Sequence, residues 1–226
     1  MNIWLLKCLL LASVVMVEAA LAQDGESAET EMSNEAVTDG ASAWYAGAGL
    51  GWPHILQVGI QFDMGDGLRP GLDVGYTTWN TSGTGVTDRI TLIALRADYS
   101  LGGGLYTGGS LGYKMTSSTK EEALSEPAGF TLEAKTETTA VTITPYAGYI
   151  WMTGAAWELS TEIGVEYAAW YEMEFSSNAT GLNTAQRQTV YTSDEYADAR
   201  SDVRDHGNRL GRSVAYARLV NLNYRL

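Results

Sequence analysis

One stretch of the sequence alternates two kinds of side chain over twenty residues, from Ala156 to Phe175. Its odd-numbered positions from Trp157 onward are apolar, β-branched or aromatic, whereas five of the nine even-numbered positions from Glu158 to Glu174 are glutamate. Side chains alternate between the two faces of a β-strand, so this pattern predicts one long strand with an apolar face and an acidic face. A helix would distribute the same glutamates around its circumference. Twenty residues at the tilt of a membrane barrel rise about 45 Å, so we expect the strand to project beyond a ~25 Å apolar membrane band.

The first 22 residues have the layout of a secretory signal peptide. The segment up to Lys7 carries one positive charge, an apolar run extends from Cys8 to Val17, and Ala20-Leu21-Ala22 forms a small-x-small cleavage motif. Cys8 is the single cysteine of the chain, so the mature protein would have no disulfide and no thiolate metal site. After the signal no stretch reaches eighteen unbroken apolar residues, so any crossing of a membrane must use β-strands.

Residues 23–42 contain six acidic residues and neither a basic nor an aromatic one. Such a segment buries too little apolar surface to fold, and we predict that it is a disordered acidic tail. The whole chain has a formal net charge of −13, which argues against nucleic acid or anionic lipid headgroups as its main partner.

Residues 43–226 repeat the alternation of apolar and polar side chains in separate segments. We favour eight strands over ten, and the segments are 44–52, 56–63, 72–77, 91–100, 105–114, 141–151, 156–175 and 214–226. Short turns follow the second, fourth and sixth segments, whereas polar loops over Trp79–Asp88, Ser117–Thr138 and Ser176–Asn208 follow the third, fifth and seventh. Short turns at one rim and long loops at the other are typical of an all-β, eight-stranded antiparallel up-and-down transmembrane β-barrel. Pro145 interrupts the sixth segment, where we expect a local bulge.

Two features indicate which face points inward. The charged face also carries most of the glycines, and small side chains suit the narrow inside of such a barrel. On the apolar face, aromatic residues recur near the strand ends, as in the interfacial belts of membrane proteins. They are Trp44, Trp52, Tyr99, Tyr113, Trp151, Trp157, Tyr171 and Tyr224.

The two ends of this region resemble a known family. The terminal segment VNLNYRL, with Leu222, Tyr224 and Leu226 alternating to the last residue, is similar to the C-terminal assembly signal of bacterial outer-membrane proteins. The opening segment WYAGAGLGW resembles the first strand of small opacity-protein-like and OmpA- or OmpX-like eight-stranded barrels. The resemblance implies a Gram-negative outer-membrane protein whose partners are outer-membrane lipid and the assembly machinery. We expect a monomer.

The mature chain has two histidines, His54 and His206. His206 follows Asp202 and Asp205, and a histidine with nearby carboxylates can act as a general base, as in omptin-like proteases or lipid A deacylases. We favour a solvated loop histidine, because eight strands are too few for an omptin and the His-x-Ser-Asn pattern of the deacylases is absent. His54 follows Pro53 at a turn and is predicted to be a surface residue. We therefore predict no catalytic, cofactor or metal site, and no enzyme activity.

The inward face predicts a polar network in place of an apolar core. Its expected members are Asp73, Arg96, Asp98, Lys114, Glu158, Glu162, Glu166 and Arg225. Buried charges need partners, so we expect Arg96 and Lys114 to lie between carboxylates, with water or a shared proton covering the acidic surplus. In the last strand, Arg218 shares the parity of Val220 and Leu222, which predicts that it points to lipid at the outer interface.

Two functional hypotheses follow from this interior. The first is a structural or surface-interaction barrel with a plugged lumen, which displays the segments Ser117–Thr138 and Ser176–Asn208. The second is a narrow porin-like channel for ions or small solutes. Matched interior charges would close a small barrel, whereas an unmatched acidic stripe would hold water and cations.

Overall fold

The computed structural model describes residues 42–126, 128–154 and 156–226. Each strand pairs antiparallel with the next one along the chain, and the last also pairs with the first, which closes a barrel of eight strands. This confirms the predicted fold class and strand count. The strands are β1 (Ala43–Trp52), β2 (Leu56–Asp63), β3 (Leu68–Thr81), β4 (Val86–Gly102), β5 (Leu105–Ala123), β6 (Thr131–Thr153), β7 (Trp157–Ala179) and β8 (Val214–Arg225). The predicted signal peptide and most of the predicted acidic tail lie outside the described residues.

The two rims of the barrel differ. At the turn end, β2–β3, β4–β5 and β6–β7 are joined by short connections, and the described part of the chain begins and ends there. At the loop end, β5, β6 and β7 extend beyond the other strands. For example, β7 pairs with β8 only as far as Glu166, whereas it pairs with β6 as far as Ala179. These unequal strands form a projecting three-stranded sheet, here called the extension.

The extension replaces most of two predicted loops. Within Ser117–Thr138, alternating residues continue β5 and β6, so the connection shortens to residues 124–130. Ser176–Asn208 holds the end of β7, helix α1 (Thr184–Tyr191) and most of helix α2 (Asp194–Gly211). Neither helix of the described residues is long and apolar enough to cross a lipid bilayer.

Local signals account for both helices. Asn183 caps α1 through a reciprocal capping box with Gln186, which satisfies two otherwise free backbone N–H groups. Ser193 caps α2, and Asp194 begins a first turn whose acidic side chains favour the positive end of the helix dipole. One face of α2 is buried, and it packs mainly on β5 and β6.

Two glycines on that buried face allow α2 to lie in the mouth of the barrel. A Cβ atom on Gly207 would stand 2.7 Å from Thr136 Cγ2, and one on Gly211 would stand 2.5 Å from Thr138 Cγ2. Larger side chains at either position would therefore push the helix away from β6. The helices and the strands pack together in the main apolar cluster of the described residues, which includes Val86, Leu132, Ala134, Val190 and Val203.

A β-bulge divides β7 into two parts of opposite parity. Ala169 is an extra residue, because Trp170 pairs with Val141 while Ala168 pairs with the next residue of β6. Beyond the bulge Glu172 and Glu174 are exposed, and Trp170 is 50% exposed on the apolar exterior. The prediction of one acidic face along the whole of 156–175 is thus correct up to the bulge and wrong beyond it, because one inserted residue exchanges the two faces.

The bulge expected at Pro145 is absent. Ile143 pairs with Tyr167 and Tyr146 with Gly164, so equal numbers of residues lie between these pairs on the two strands. On its other side Pro145 faces Gly109 in regular register. In β6 the extra residue opposite β7 is instead Trp151.

An apolar belt covers the outside of the barrel. Trp44 packs on Phe62 near the turn end, and Trp52 packs on Trp79 near the loop end, with ring centroids 4.9 and 5.1 Å apart. From Trp44 to Trp52 a tilted strand rises about 20 Å. Between the two aromatic levels the exposed side chains are aliphatic, among them Val58, Ile60, Val74, Ile93, Leu95, Leu111, Ile143, Ile163 and Leu222.

Candidate functional site

The inside of the barrel is filled by charged side chains arranged in layers. In the layer nearest the turn end, the two terminal nitrogens of Arg69 donate to the two carboxylate oxygens of Glu158 at 2.7 and 3.1 Å. Arg69 Nε donates to Asp63 at 2.9 Å, and its guanidinium lies 4.9 Å from the ring centroid of Tyr45. Glu158 therefore pairs with a cation that the sequence analysis did not assign to the interior.

The middle layer is built around Arg96. Its Nη1 donates to Asp73 at 3.0 Å, and its Nη2 donates to Asp98 and to Glu162, each at 2.7 Å. The Arg96 side chain is almost fully buried, and its guanidinium lies 5.1 Å from the ring centroid of Tyr146. The Tyr146 hydroxyl also donates to Asp98. One arginine thus satisfies carboxylates from three strands, β3, β4 and β7.

A second arginine, Arg218, completes this layer. It is 3% exposed, its Nη2 donates to Asp73 at 2.6 Å, and its Nε donates to Gln57 at 2.8 Å. Its Nη1 lies 3.6 Å from Glu162. The hydroxyl of Tyr216 donates to the same glutamate at 2.8 Å, and that of Tyr106 at 3.0 Å. Glu162 is thus held by two cations and two phenols, which supply the partners that a fully buried carboxylate requires.

The interior position of Arg218 corrects the prediction that it points to lipid. β8 contains a bulge at Leu219, since Val220 pairs with Leu50 while Arg218 pairs with the adjacent Gly51. Both Leu219 and Val220 are exposed on the exterior. The residues of β8 before the bulge therefore have the opposite parity to those after it, and Arg218 enters the lumen.

Towards the loop end, Lys114 and Glu166 form a third layer. Lys114 Nζ donates to Glu166 at 2.6 Å and to the backbone oxygen of Leu210, near the end of α2, at 2.5 Å. His54 Nε2 lies 3.0 Å from the other carboxylate oxygen of Glu166. The prediction that His54 is a surface residue is wrong, because the turn after β1 folds inward and leaves its side chain 0% exposed. A buried cation next to a helix C-terminus also fits the negative end of the helix dipole.

His206 lies in the mouth itself. Its Nδ1 is 2.9 Å from Asp88, which also accepts a hydrogen bond from Ser118 at 2.6 Å, and its Nε2 is 3.4 Å from Thr84 Oγ1. The prediction of a solvated loop histidine is wrong, because the segment is the buried face of α2. The acid, the histidine and the hydroxyl stand in the order of a catalytic triad, with a long contact to the hydroxyl. The contacts of Asp88 with His206 and Ser118 join α2 to β4 and β5 and supply partners to this buried carboxylate.

The structure therefore separates the eight residues predicted as one network. Asp73, Arg96, Asp98 and Glu162 meet in the middle layer, and Lys114 and Glu166 meet below α2. Glu158 pairs at the turn end, whereas Arg225 is half-buried there and joins no salt bridge within the described residues. The C-terminal residues Leu222, Tyr224 and Leu226 are exposed on the exterior.

Several interior partners were not predicted from the sequence, chiefly Arg69, Arg218, His54 and Tyr216. Arg69 and Asp73 are four residues apart, so their side chains lie on the same face of a strand. A predicted third strand that began at Leu68 would have placed Arg69 inside the barrel. Arg218 would have required the bulge to be recognised, for which the only sign is the adjacent apolar pair Leu219 and Val220 before Asn221.

The filled lumen leaves little space for a solute. Two cavities in the barrel interior have volumes of about 40 and 10 Å³, enough for isolated water molecules. Three buried cations, Arg96, Lys114 and Arg218, and the half-buried Arg69 face the five carboxylates of Asp73, Asp98, Glu158, Glu162 and Glu166. The described residues contain no cluster of three or more histidine, cysteine or acidic side chains that could hold a metal ion.

The described chain thus belongs to the class of eight-stranded antiparallel barrels with an apolar exterior and a charge-filled interior. No family model and no curated protein matches it. The resemblance to opacity-protein-like, OmpA-like or OmpX-like barrels therefore rests only on the short first and last strand segments.

Three solved structures are similar in fold. CarO2 of Acinetobacter baumannii is 11% identical with a TM-score of 0.45, and the similarity covers 82% of this chain and 98% of that one. A major outer membrane protein from Thermus thermophilus is 14% identical with a TM-score of 0.44, over 82% of this chain and all of the other. CarO of A. baumannii is 12% identical with a TM-score of 0.39, over 81% and 97%. Identities this low carry no information about a shared function.

Proposed function

We propose that this protein is a bacterial outer-membrane barrel with a structural or surface-interaction role. The observation that carries the proposal is the combination of an apolar belt, bounded by aromatic side chains, with a lumen of paired charges. Such an exterior is favourable in lipid, and the closed strand ring leaves no free strand edge in the belt. In water the same belt would be a large exposed apolar surface, which soluble monomers avoid.

The barrel would insert with the turn end in the periplasm and the loop end outside the cell. Short turns on the periplasmic side and long connections outside are the usual arrangement of outer-membrane barrels. In this orientation the extension and helices α1 and α2 would face the medium. They would supply the interaction surface, and no catalytic role is proposed for the interior.

The charge-filled lumen favours this role over the narrow channel. Arg96 and Arg218 bridge opposite walls of the middle layer through Asp73 and Glu162, so a permeating ion would have to break buried ion pairs. Helix α2 also occupies the mouth above them. We therefore expect the barrel to be closed at rest.

The first experiment tests insertion and the second tests closure. Refolded protein should give a β-type circular dichroism spectrum in detergent and should migrate differently on gels before and after boiling. In planar bilayers the folded protein should show no stable, porin-sized conductance steps, whereas an Arg96→Ala/Asp98→Ala variant should leak more. A soluble, helical monomer would refute the barrel role, and steady conductance by the wild-type protein would favour the channel.

A further inference from the structure

A third cavity, larger than the two in the lumen, lies outside the barrel interior. It is an open cleft of about 590 Å³ between the end of α1 and the exposed face of α2. Its lining includes Tyr191, Tyr196, Arg200, Arg204, Asp205 and Asn208. None of these residues belongs to the interior network, although Tyr196 and Arg200 also contact Phe175 of β7.

Two unpaired arginines project into this cleft. Arg200 and Arg204 are one turn apart on α2, both are exposed, and neither forms a salt bridge within the described part of the chain. The Arg200 guanidinium lies 5.2 Å from the ring centroid of Phe175, which restricts its position. In contrast, the arginines of the lumen are all paired with carboxylates. Arginines with free donors that line a concave surface are suited to phosphate or carboxylate groups.

Aromatic and polar side chains complete the lining. The rings of Tyr191 and Tyr196 are tilted, with centroids 5.2 Å apart, and Tyr196 also packs edge-on against Phe175. Tyr191 remains exposed at the cleft, so its apolar ring and its hydroxyl are both available. Two carboxylates, Asp194 and Asp205, also line the cleft, and they and the side-chain oxygen of Asn208 can accept hydrogen bonds from hydroxyl groups. An aromatic surface, hydroxyl acceptors and free guanidinium groups together match a sugar that carries a negative charge.

The cleft borders the extension at β7, because two of its lining residues, Tyr196 and Arg200, contact Phe175 of that strand. Beyond Glu166, β7 pairs with no strand on its β8 side within the described residues.

We infer that this cleft binds an anionic sugar, phosphorylated or carboxylated, with Arg200 and Arg204 on the charged group and Tyr191 against the ring. The inference rests on the proposed outer-membrane role, in which the loop end faces the medium. The sugar could be presented by an outer-leaflet glycolipid or arrive as a soluble saccharide, and both present the same chemistry to the cleft.

Calorimetric titration of the full refolded protein tests the assignment with three probes: a sugar phosphate, a neutral sugar and inorganic phosphate. Glucosamine 1-phosphate should bind, with an affinity that falls as salt rises, whereas neutral glucosamine derivatives of the same ring should not bind detectably. An Arg200→Gln/Arg204→Gln variant should lose about tenfold or more in affinity, because two charge-assisted contacts are removed. Tyr191→Ser should weaken binding of the sugar phosphate more than binding of inorganic phosphate.

Matched controls make the outcome decisive. Arg209→Gln removes one exposed charge from the same helix outside the cleft lining, and it should leave the affinity within about twofold of wild type. The inference is overturned if the sugar phosphate does not bind, or if Arg209→Gln weakens binding as much as the cleft variant does. Vesicles containing a phosphorylated glycolipid distinguish the two sources: tighter binding to them than to the soluble sugar assigns the headgroup, and equal binding assigns the soluble saccharide.

The gel-mobility test keeps this result separate from the proposed function. A variant or wild-type protein that shows the mobility shift on boiling has formed its barrel. A folded barrel that fails to bind would reject the sugar site alone. A chain that never folds in detergent would reject the outer-membrane role itself.

Discussion

Replacement of Arg96 by methionine tests whether the ion pairs of the lumen stabilise the barrel. The substitution keeps much of the side-chain volume but removes the donors that reach Asp73, Asp98 and Glu162. Two of these carboxylates keep other partners: Asp73 still accepts from Arg218, and Glu162 still accepts from two tyrosines. Asp98 loses its one cation, so it should account for most of the effect.

The magnitude follows from what Asp98 keeps. In the Arg96→Met variant its oxygens would still accept from Gln61 Nε2, at 2.6 Å, and from the Tyr146 hydroxyl. A buried carboxylate with neutral donors alone costs about 3–5 kcal/mol of unfolding free energy relative to the paired state. Neutralising it in an Arg96→Met/Asp98→Asn double variant should recover part of this loss, with a coupling energy of about 1–3 kcal/mol.

The assay is equilibrium unfolding by urea in lipid vesicles, followed by tryptophan fluorescence. Arg209→Met is the matched control, because this exposed arginine lies outside the lumen and should shift the free energy by no more than about 0.5 kcal/mol. The reasoning would be refuted if Arg96→Met were as stable as the control. It would also be refuted if the two substitutions of the double variant were simply additive.

Three further outcomes are expected. Leu222→Arg places a charge on the belt and should destabilise the folded barrel by about 2–4 kcal/mol, whereas Tyr224→Arg, nearer the interface, should cost about 0–1 kcal/mol in the same urea titration. Gly211→Val should displace α2, seen as faster proteolytic cleavage within residues 180–213 while the heat-dependent gel shift of the barrel persists; unchanged cleavage would contradict the close packing. Hydrogen bonds from Ser125 and from the backbone lower the pKa of the Glu195 carboxyl below its ordinary value of 4.5. These bonds therefore stabilise the folded protein at pH values above 4.5, and the stabilisation is lost as the pH falls through the lowered pKa. An NMR titration of Glu195 should therefore have its midpoint below 4.5, and Ser125→Ala should raise it.

The barrel could be predicted from sequence because its signal is local and repeated. Each strand carries its own alternation, and side-chain parity alone separates the belt from the lumen in β2, β4 and the first half of β7. The inward positions of Arg96, Lys114 and Glu162 followed directly from that parity. No long-range information was needed for this part of the fold.

The parts that could not be predicted depend on contacts between distant segments. A single extra residue at Leu219 moves Arg218 from the lipid face to the lumen, and its cause lies in the pairing with β1. Helix α2 was not predicted, because its buried face consists of small or isolated apolar residues, such as Ala199 and Val203, separated by many charged residues. His54 is buried because the turn after β1 folds over Glu166, which is 112 residues away.

The bulge at Ala169 has a consequence for the solubility of the extension. Above Glu166, β7 has lost β8 as a neighbour, and within the described residues no strand pairs with that side of it. An unpaired edge of this length is a template on which another chain could add a strand. The bulge bends the edge, and by exchanging the faces it sets Glu172 and Glu174 on the outer surface next to it. A local irregularity that brings Phe175 towards α2 therefore also protects the extension against edge-to-edge aggregation.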